Sequence, residues 1–429
     1  MLGFETIGNA TVTVIDDIPV LTTDPWLYGN PYFSSWGTAY SMPKQQEENI
    51  KKCKYIWCSH GHPDHLDSQS IKELKDNDTI LLLPDHFGNR IYNDLIKDYH
   101  CIKLKSNEWF HISENVEICS FADWNQDASL IIKIQENNYI LNMNDGNGLG
   151  WSNTIKKIMK RGQNRFLLKG LSWAAADMIN LYDENNKFIK PFNENPKLGL
   201  LYSAALKNWN CNFAIPFSSF HKYIREDSAH MNQFLTPLEA HKENFSSHDG
   251  ELLEPFIIWD FKKNDYVKIK PSKNKATIIT PDSLGDNWTD ELTDEDKIII
   301  YEYFTRIIHL KKIFGSLTFR VGGSDFNIKL SNKNTSIIFE VPRSSLMTAL
   351  KYEIFDDLLI GNFMKTTLIN IKSLYPHFTP YVAKYADNGK SKSTNELDIY
   401  FNYYELNSAD YWRDMFVAKS EGIFRRFIT

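Results

Sequence analysis

Paired cysteines are missing from this chain. Its five cysteines (Cys53, Cys58, Cys101, Cys119, Cys211) are scattered, odd in number and never spaced Cys-x-x-Cys. That excludes a disulfide framework and points to reduced thiols in a cytoplasmic protein. Charge of one sign is also scarce: 48 Lys plus Arg against 54 Asp plus Glu give a net charge of -6. No like-charged block is long enough to hold nucleic acid or an anionic membrane, so neither is an expected partner. No run approaches the roughly 18 apolar residues of a membrane span. The opening stretch, MLGFETIGNATVTVIDD, lacks the basic region and apolar core of a signal peptide. Internal repeats, low-complexity tracts and a phosphate-cradling glycine loop are absent too. What is plentiful is core material: 42% of the 429 residues are hydrophobic and 14% aromatic. Such a chain fills two domains, or one large domain with an appendage.

The first half reads as strands with interspersed helices, α/β in character. ATVTVI (10–15), KYIWCS (54–59), TILLLP (79–84), SLIIKI (129–134), NYILNMND (138–145) and CNFAIPFSS (211–219) are the expected strands. DPWLYGNPYFSSWG (24–37) reads as a packed aromatic loop. Ser70 and Glu73 have the spacing of a capping box, with Ile71 and Leu74 on the apolar side of the helix. Residues 265–297 turn polar and acidic and read as a linker. Beyond it, SLTFRV, DFNIKLS and SIIFEV alternate as strands, and RSSLMTALKYEIFDDLLIGNF reads as helical. The expected organisation is a metal-binding domain over 1–264, a linker over 265–297 and a C-terminal α+β domain over 298–429.

The chemistry concentrates in CSHGHPDHLD, residues 58–67, which holds three of the twelve histidines and two aspartates. In the pattern H-x-H-x-D-H, alternate side chains of an extended segment point the same way. His60 and His62 can therefore serve one ion while Asp64 and His65 turn toward a second. Imidazoles and carboxylates suit Zn, Fe and Mn. A polar loop that merely happens to be histidine-rich is the bland alternative.

This pattern resembles the metallo-β-lactamase superfamily, over roughly residues 1–250. The resemblance implies an αββα sandwich of two sheets with helices outside and a metal site at one edge. It also implies a bridging carboxylate after a strand, which NMNDG matches with Asp145. A further ligand is implied where this chain has SFADWNQDASL, with Asp123 in place of a histidine. A last histidine should follow a late strand: His221 after AIPFSSF, or His230 in DSAHMN, with His221 nearer the strand end. Asp24 and Asp127 are candidates to orient the ligands, or ordinary turn residues. His86, His111, His241, His248, His309 and His377 read as structural or solvated.

Several segments are similar to one branch, the CMP-N-acetylneuraminate hydroxylases: DPWLYGNPYFSSW, SHGHPDHLDSQSIKEL, DASLIIKIQENNYILNMNDGNG, IPFSSF and FDDLLIGNFMK, in that order. That branch carries a Rieske domain, whose cluster needs paired Cys and His ligands; no Cys-x-x-His pair exists here. The leading expectation is an oxygenase with two metal ions, preferably iron, acting on a small polar molecule and served by a separate electron donor. The extra carboxylate, Asp123, supports iron or manganese over zinc. The alternative is a metal-dependent hydrolase of a phosphodiester, lactone or amide, with Asp64 orienting water or acting as base and Asp145 bridging. A third reading makes the metal a structural staple and the C-terminal unit a lipid or partner module. That unit is otherwise expected to close the site or to form a homodimer interface.

Overall fold

A strand buried on both faces needs apolar side chains at successive positions, because they alternate between two cores. In Ala128–Ile134, Leu130, Ile132 and Ile134 join one core while Ile131 joins another. The structure, a computed structural model, describes residues 1–428 except 77, 193, 276 and 386–389. Among the described residues a first sheet has eight strands, ordered Asp265–Lys268, Ile257–Asp260, Leu2–Ile7, Thr11–Asp16, Ile18–Thr23, Tyr55–Trp57, Ile80–Pro84, His100–Leu104. A second has seven, ordered Glu251–Leu252, Phe213–Pro216, Asn164–Lys169, Asn138–Asn144, Ala128–Ile134, Val116–Ala122, Trp109–Ser113. Phe4, Val12, Leu21 and Trp57 of the first meet Ile118, Leu130, Ile140 and Phe166 of the second.

Helices cover both outer faces. Lys44–Lys51 and Ser68–Leu74 set Ile50, Ile71 and Leu74 against Ile56, Leu81 and Leu83 of the first sheet. Ser152–Met159 and Leu198–Trp209 set Ile155, Met159, Tyr202 and Leu206 against the second. The layers are therefore the expected αββα sandwich, carrying a C-terminal α+β unit. No helix of the described residues is long and apolar enough to cross a membrane.

The C-terminal unit is built on a third sheet, ordered Leu181–Asp183, Lys365–Ile369, Ser336–Glu340, Ser316–Val321, Ser324–Lys329. Phe304, Phe319, Phe339, Phe355 and Phe378 fill its core. Its edge strand, Leu181–Asp183, comes from the first half of the chain and pairs parallel with Lys365–Ile369. The polar stretch also does more than link. Its start, Asp265–Lys268, is an edge strand on Ile257–Asp260. Its acidic end opens the helix Asp294–Thr305, where Thr293 and Asp296 form a capping box. Carboxylates there complement the unpaired N–H groups of the first turn.

Two local readings change. Asp67, not Ser70, caps Ser68–Leu74, accepting the Ser70 N–H at 2.7 Å. Ser70 Oγ instead accepts the N–H groups of Leu27 and Tyr28, fastening the aromatic loop. The helical run after Pro342 breaks into Arg343–Tyr352 and Phe355–Gly361, with Glu353 in a left-handed conformation between them. The second, shorter helix is bolted to the sandwich. Trp36 Nε1 donates to Ile360 O at 3.2 Å, Ser35 Oγ to Gly361 O, and Asn362 Nδ2 to Tyr223 Oη at 2.9 Å.

Candidate metal centre

Parallel strands deliver their C-terminal ends to a common edge, and the loops leaving them meet there. In the first sheet Ile18–Thr23 and Tyr55–Trp57 run parallel and lead to Asp24 and to the His60 segment. In the second, Asn138–Asn144, Asn164–Lys169 and Phe213–Pro216 run parallel and lead to Asp145, Gly170 and Ser218. Ser218 Oγ donates to Asp145 Oδ1 at 3.2 Å. Gly170 makes room for that contact: a Cβ there would stand 2.1 Å from Ser218 Oγ.

His60, His65 and Asp145 each offer a ligand atom, all within 4.8 Å of one another. His65 Nε2 lies 3.3 Å from Asp145 Oδ2 and 3.4 Å from Asp64 Oδ2, buried and without a hydrogen-bond partner. An orphaned imidazole nitrogen facing two carboxylates costs stability unless something else engages it. The donor set and this orphaned atom fit a divalent cation. Asp64 is held from behind, accepting Tyr32 Oη at 2.5 Å and Asn9 Nδ2 at 2.9 Å.

Each histidine ring of the cluster keeps one nitrogen on an outer partner. His60 Nδ1 meets Ser59 Oγ at 2.9 Å, and Ser59 Oγ donates to Asp24 at 2.8 Å. His65 Nδ1 meets Asp24 Oδ2 at 3.2 Å. Asp24 is fully buried and also accepts the Ser59 N–H at 2.7 Å and Asn144 Nδ2. His62 differs: Nδ1 faces His60 Nε2 at 2.9 Å, and Nε2 faces Asp356 Oδ2 of the C-terminal unit at 3.5 Å.

The electrostatics follow these neighbours. Burial, with His65 and His62 close by, pushes His60 well below the usual imidazole range. Burial would lower His62 too, but Asp356, Asp357 and Asp64 outweigh it and lift it to about 10. His65 is carried well up in the same way by Asp64, Asp145 and Asp24. Burial would raise Asp145, yet His65, His60 and His62 hold it below the carboxylate range.

Asp123 is a departure from the expected ligand set. It accepts the Asn125 N–H at 2.8 Å as a turn residue, and burial beside Asp127 pushes it well up. Asp127, a turn away, is the carboxylate that approaches the cluster, 3.9 Å from His60 Nδ1. His221 stacks on Trp36 with ring centroids 3.3 Å apart, and both ring nitrogens are buried without hydrogen-bond partners. His230 sits in a short 3-10 segment. Neither joins the group of converging ligand atoms. His86, read as ordinary, is buried against Tyr404 and lowered to about 4 by that burial.

Asn9, Ser59, Asn144 and Asp356 were not among the expected site residues, and Tyr32 was expected only as part of the aromatic loop. Asp356 lies in the FDDLLIG run, expected from resemblance alone and not as part of the site. Cys58-Ser59-His60 does have Cys-x-His spacing, but Cys58 packs into the core beneath the outer helices, away from His60's partners. Beside the histidines lies a cleft of about 220 Å³, lined by His60, His62, Leu66, Arg90, Ile91 and Asp127 among others.

No family model matches the chain. Proteins named as Rieske 2Fe-2S iron-sulfur proteins match short stretches. One from Mycobacterium tuberculosis is 29% identical over 92 residues, 21% of this chain and 17% of its own length. One from Mycolicibacterium smegmatis is 28% identical over 81 residues, 19% of this chain and 15% of its own. The chain thus aligns with less than a fifth of either relative. Among solved structures, a protein described as a possible metal-dependent hydrolase, from Veillonella parvula, has a TM-score of 0.39 and 11% identity, covering 63% of this chain and all (100%) of the other. An isothiocyanate hydrolase from Delia radicum gut bacteria has a TM-score of 0.37 and 13% identity, covering 61% and 99%. The metallo-beta-lactamase fold protein YhfI from Bacillus subtilis has a TM-score of 0.33 and 11% identity, covering 59% and 92%.

Proposed function

We propose that the chain is a metal-dependent hydrolase acting on a small polar substrate, a phosphodiester, lactone or amide. The observation that carries this reading is the buried, orphaned Nε2 of His65 between Asp64 and Asp145, with His60 beside it. His60, His65 and Asp145 would hold the ion, with Asp64 and His62 at its flank. A divalent ion so held supplies Lewis acidity and activates water near neutral pH.

The chain's own groups divide the remaining work. Tyr32 and Asn9 fix both oxygens of Asp64, so it orients a partner rather than moving. Asp145 is committed at both oxygens, Oδ1 accepting Ser218 Oγ and Oδ2 facing His65 Nε2, so it is held in place at the edge of the ion. Leu66, Ile91 and Leu95 form an apolar wall of the cleft and keep bulk water off a bound molecule. The volume suits a small substrate.

A second reading, an iron oxygenase fed by a separate electron donor, draws on the hydroxylase-like segments and the short Rieske-protein matches. One experiment separates the two. Protein purified without oxygen is assayed for metal, exposed to dioxygen, and screened on phosphodiesters, lactones and amides. The hydrolase reading expects zinc or manganese, turnover in the screen and an unchanged visible spectrum. Two irons with an oxygen-dependent spectrum would hand the function to the oxygenase.

A further inference from the structure

We propose that Asp356 is a positioning residue of the metal centre: it receives the Nε2–H of His62 and so turns that ring's Nδ1 inward toward His60. The C-terminal unit thereby completes a site whose other histidines the sandwich holds by itself. This rests on the metal-centre reading above.

Three rings share one plan. His60 has Ser59 behind it at 2.9 Å and His65 has Asp24 at 3.2 Å, each leaving Nε2 for the cluster. His62 is mirrored, with Nδ1 toward His60 and Nε2 toward Asp356. Outer partners of this kind fix which nitrogen is protonated and how the ring is aimed. The 3.5 Å separation lies at the outer edge of hydrogen-bonding range. The carboxylate is nonetheless committed: Asp356 is 7% exposed and its Oδ1 is buried with no hydrogen-bond partner. A buried carboxylate without a partner is costly, and His62 Nε2 is the ring nitrogen that faces this one. Its helix is set by Trp36, Ser35 and Tyr223 contacts, so Asp356 is placed by the docking of the two units.

The test uses full-length protein, Zn²⁺ calorimetry and the visible spectrum of Co²⁺-loaded protein. Asp356→Ala should weaken Zn²⁺ binding about 10- to 100-fold, keep the saturating stoichiometry and shift the Co²⁺ bands. Asp356→Asn, whose amide oxygen accepts the same proton, should recover most of the affinity. In a His62→Ala background, Asp356→Ala should add no further loss. Wild-type affinity and spectrum in Asp356→Ala would overturn the proposal. So would loss of a whole metal equivalent in both variants, which would make Asp356 a ligand. Should the alanine variant fail to fold, ¹⁵N spectra of metal-loaded wild type decide: a protonated Nε2 on His62 is expected, and coordination through Nε2 would sink the idea. Full Zn²⁺ binding by His65→Ala would instead defeat the metal-centre reading itself.

Discussion

Asp24 and Asp356 are both buried carboxylates behind histidines, yet they are held very differently. Asp24 lies inside the sandwich and is gripped by Ser59 twice, by Asn144 and by His65. Asp356 arrives from the C-terminal unit with one long contact and one unpartnered oxygen. On the proposal above, the site has one half held by contacts within the sandwich and another that depends on the contact with the second unit. Removing the first should therefore cost structure and metal together, and removing the second should cost metal alone.

The largest expected effect follows from breaking the half held within the sandwich. Asp24→Ala strands Ser59, Asn144 and His65 in a dry interior. Breaking a buried charged network by removing one partner costs about 3–5 kcal/mol. Urea unfolding should register a loss of that order, and metal analysis should find little ion. Wild-type stability with full metal content would show that Asp24 does not hold the histidines.

Next comes the direct contrast between rings. His65→Ala should abolish Zn²⁺ binding, because His65 belongs to the converging group, whereas His62→Ala should weaken it. Equal losses measured by calorimetry would erase the distinction between the two halves.

The same contrast explains what was readable beforehand. His60, His62, Asp64 and His65 are neighbours in sequence, so one extended segment brings them together and the pattern is visible. Asp145 follows a strongly apolar strand whose end is easy to place. Asp24 was legible as a candidate to orient ligands, whereas Asn9 and Asp356 reach the site through long-range packing that local sequence does not show. Asp123 and Asp127 illustrate a subtler point. A turn in which Gln126 N–H bonds Asp123 O, and Asp123 N–H bonds Asp127 O, decides which of two aspartates faces inward. Spacing cannot resolve that, because the two differ only in turn conformation. The polar 265–297 stretch, expected as a linker, carries an edge strand at its start and opens a helix at its acidic end.

Asp123→Asn sharpens the comparison by testing a carboxylate outside the converging group. Its contacts are the Asn125 N–H and, through space, Lys384, which donates to Trp124 O at 2.6 Å and Asn125 Oδ1 at 3.0 Å. Zn²⁺ affinity should change less than about threefold, since an asparagine keeps the turn. A loss comparable to that of His65→Ala would restore Asp123 as a ligand.

The smallest effect concerns a histidine with no carboxylate behind it at all. His221 is buried against Trp36, and burial lowers its pKa to about 3. Above the unfolded value near 6.5 the ring is neutral in both states, and its full contribution to stability is present. As pH falls below 6.5, the unfolded chain takes a proton that the folded ring refuses, and stability drains away toward pH 3. Between pH 7 and 5 that amounts to about 2 kcal/mol. His221→Phe keeps the stack on Trp36 and removes the titration, so its urea midpoint should fall less than wild type over that interval. Parallel pH profiles would show that the buried ring takes no part in acid destabilisation. Loss of metal in the same variant would instead move His221 into the site, beside the rings that Asp24 and Asp356 hold.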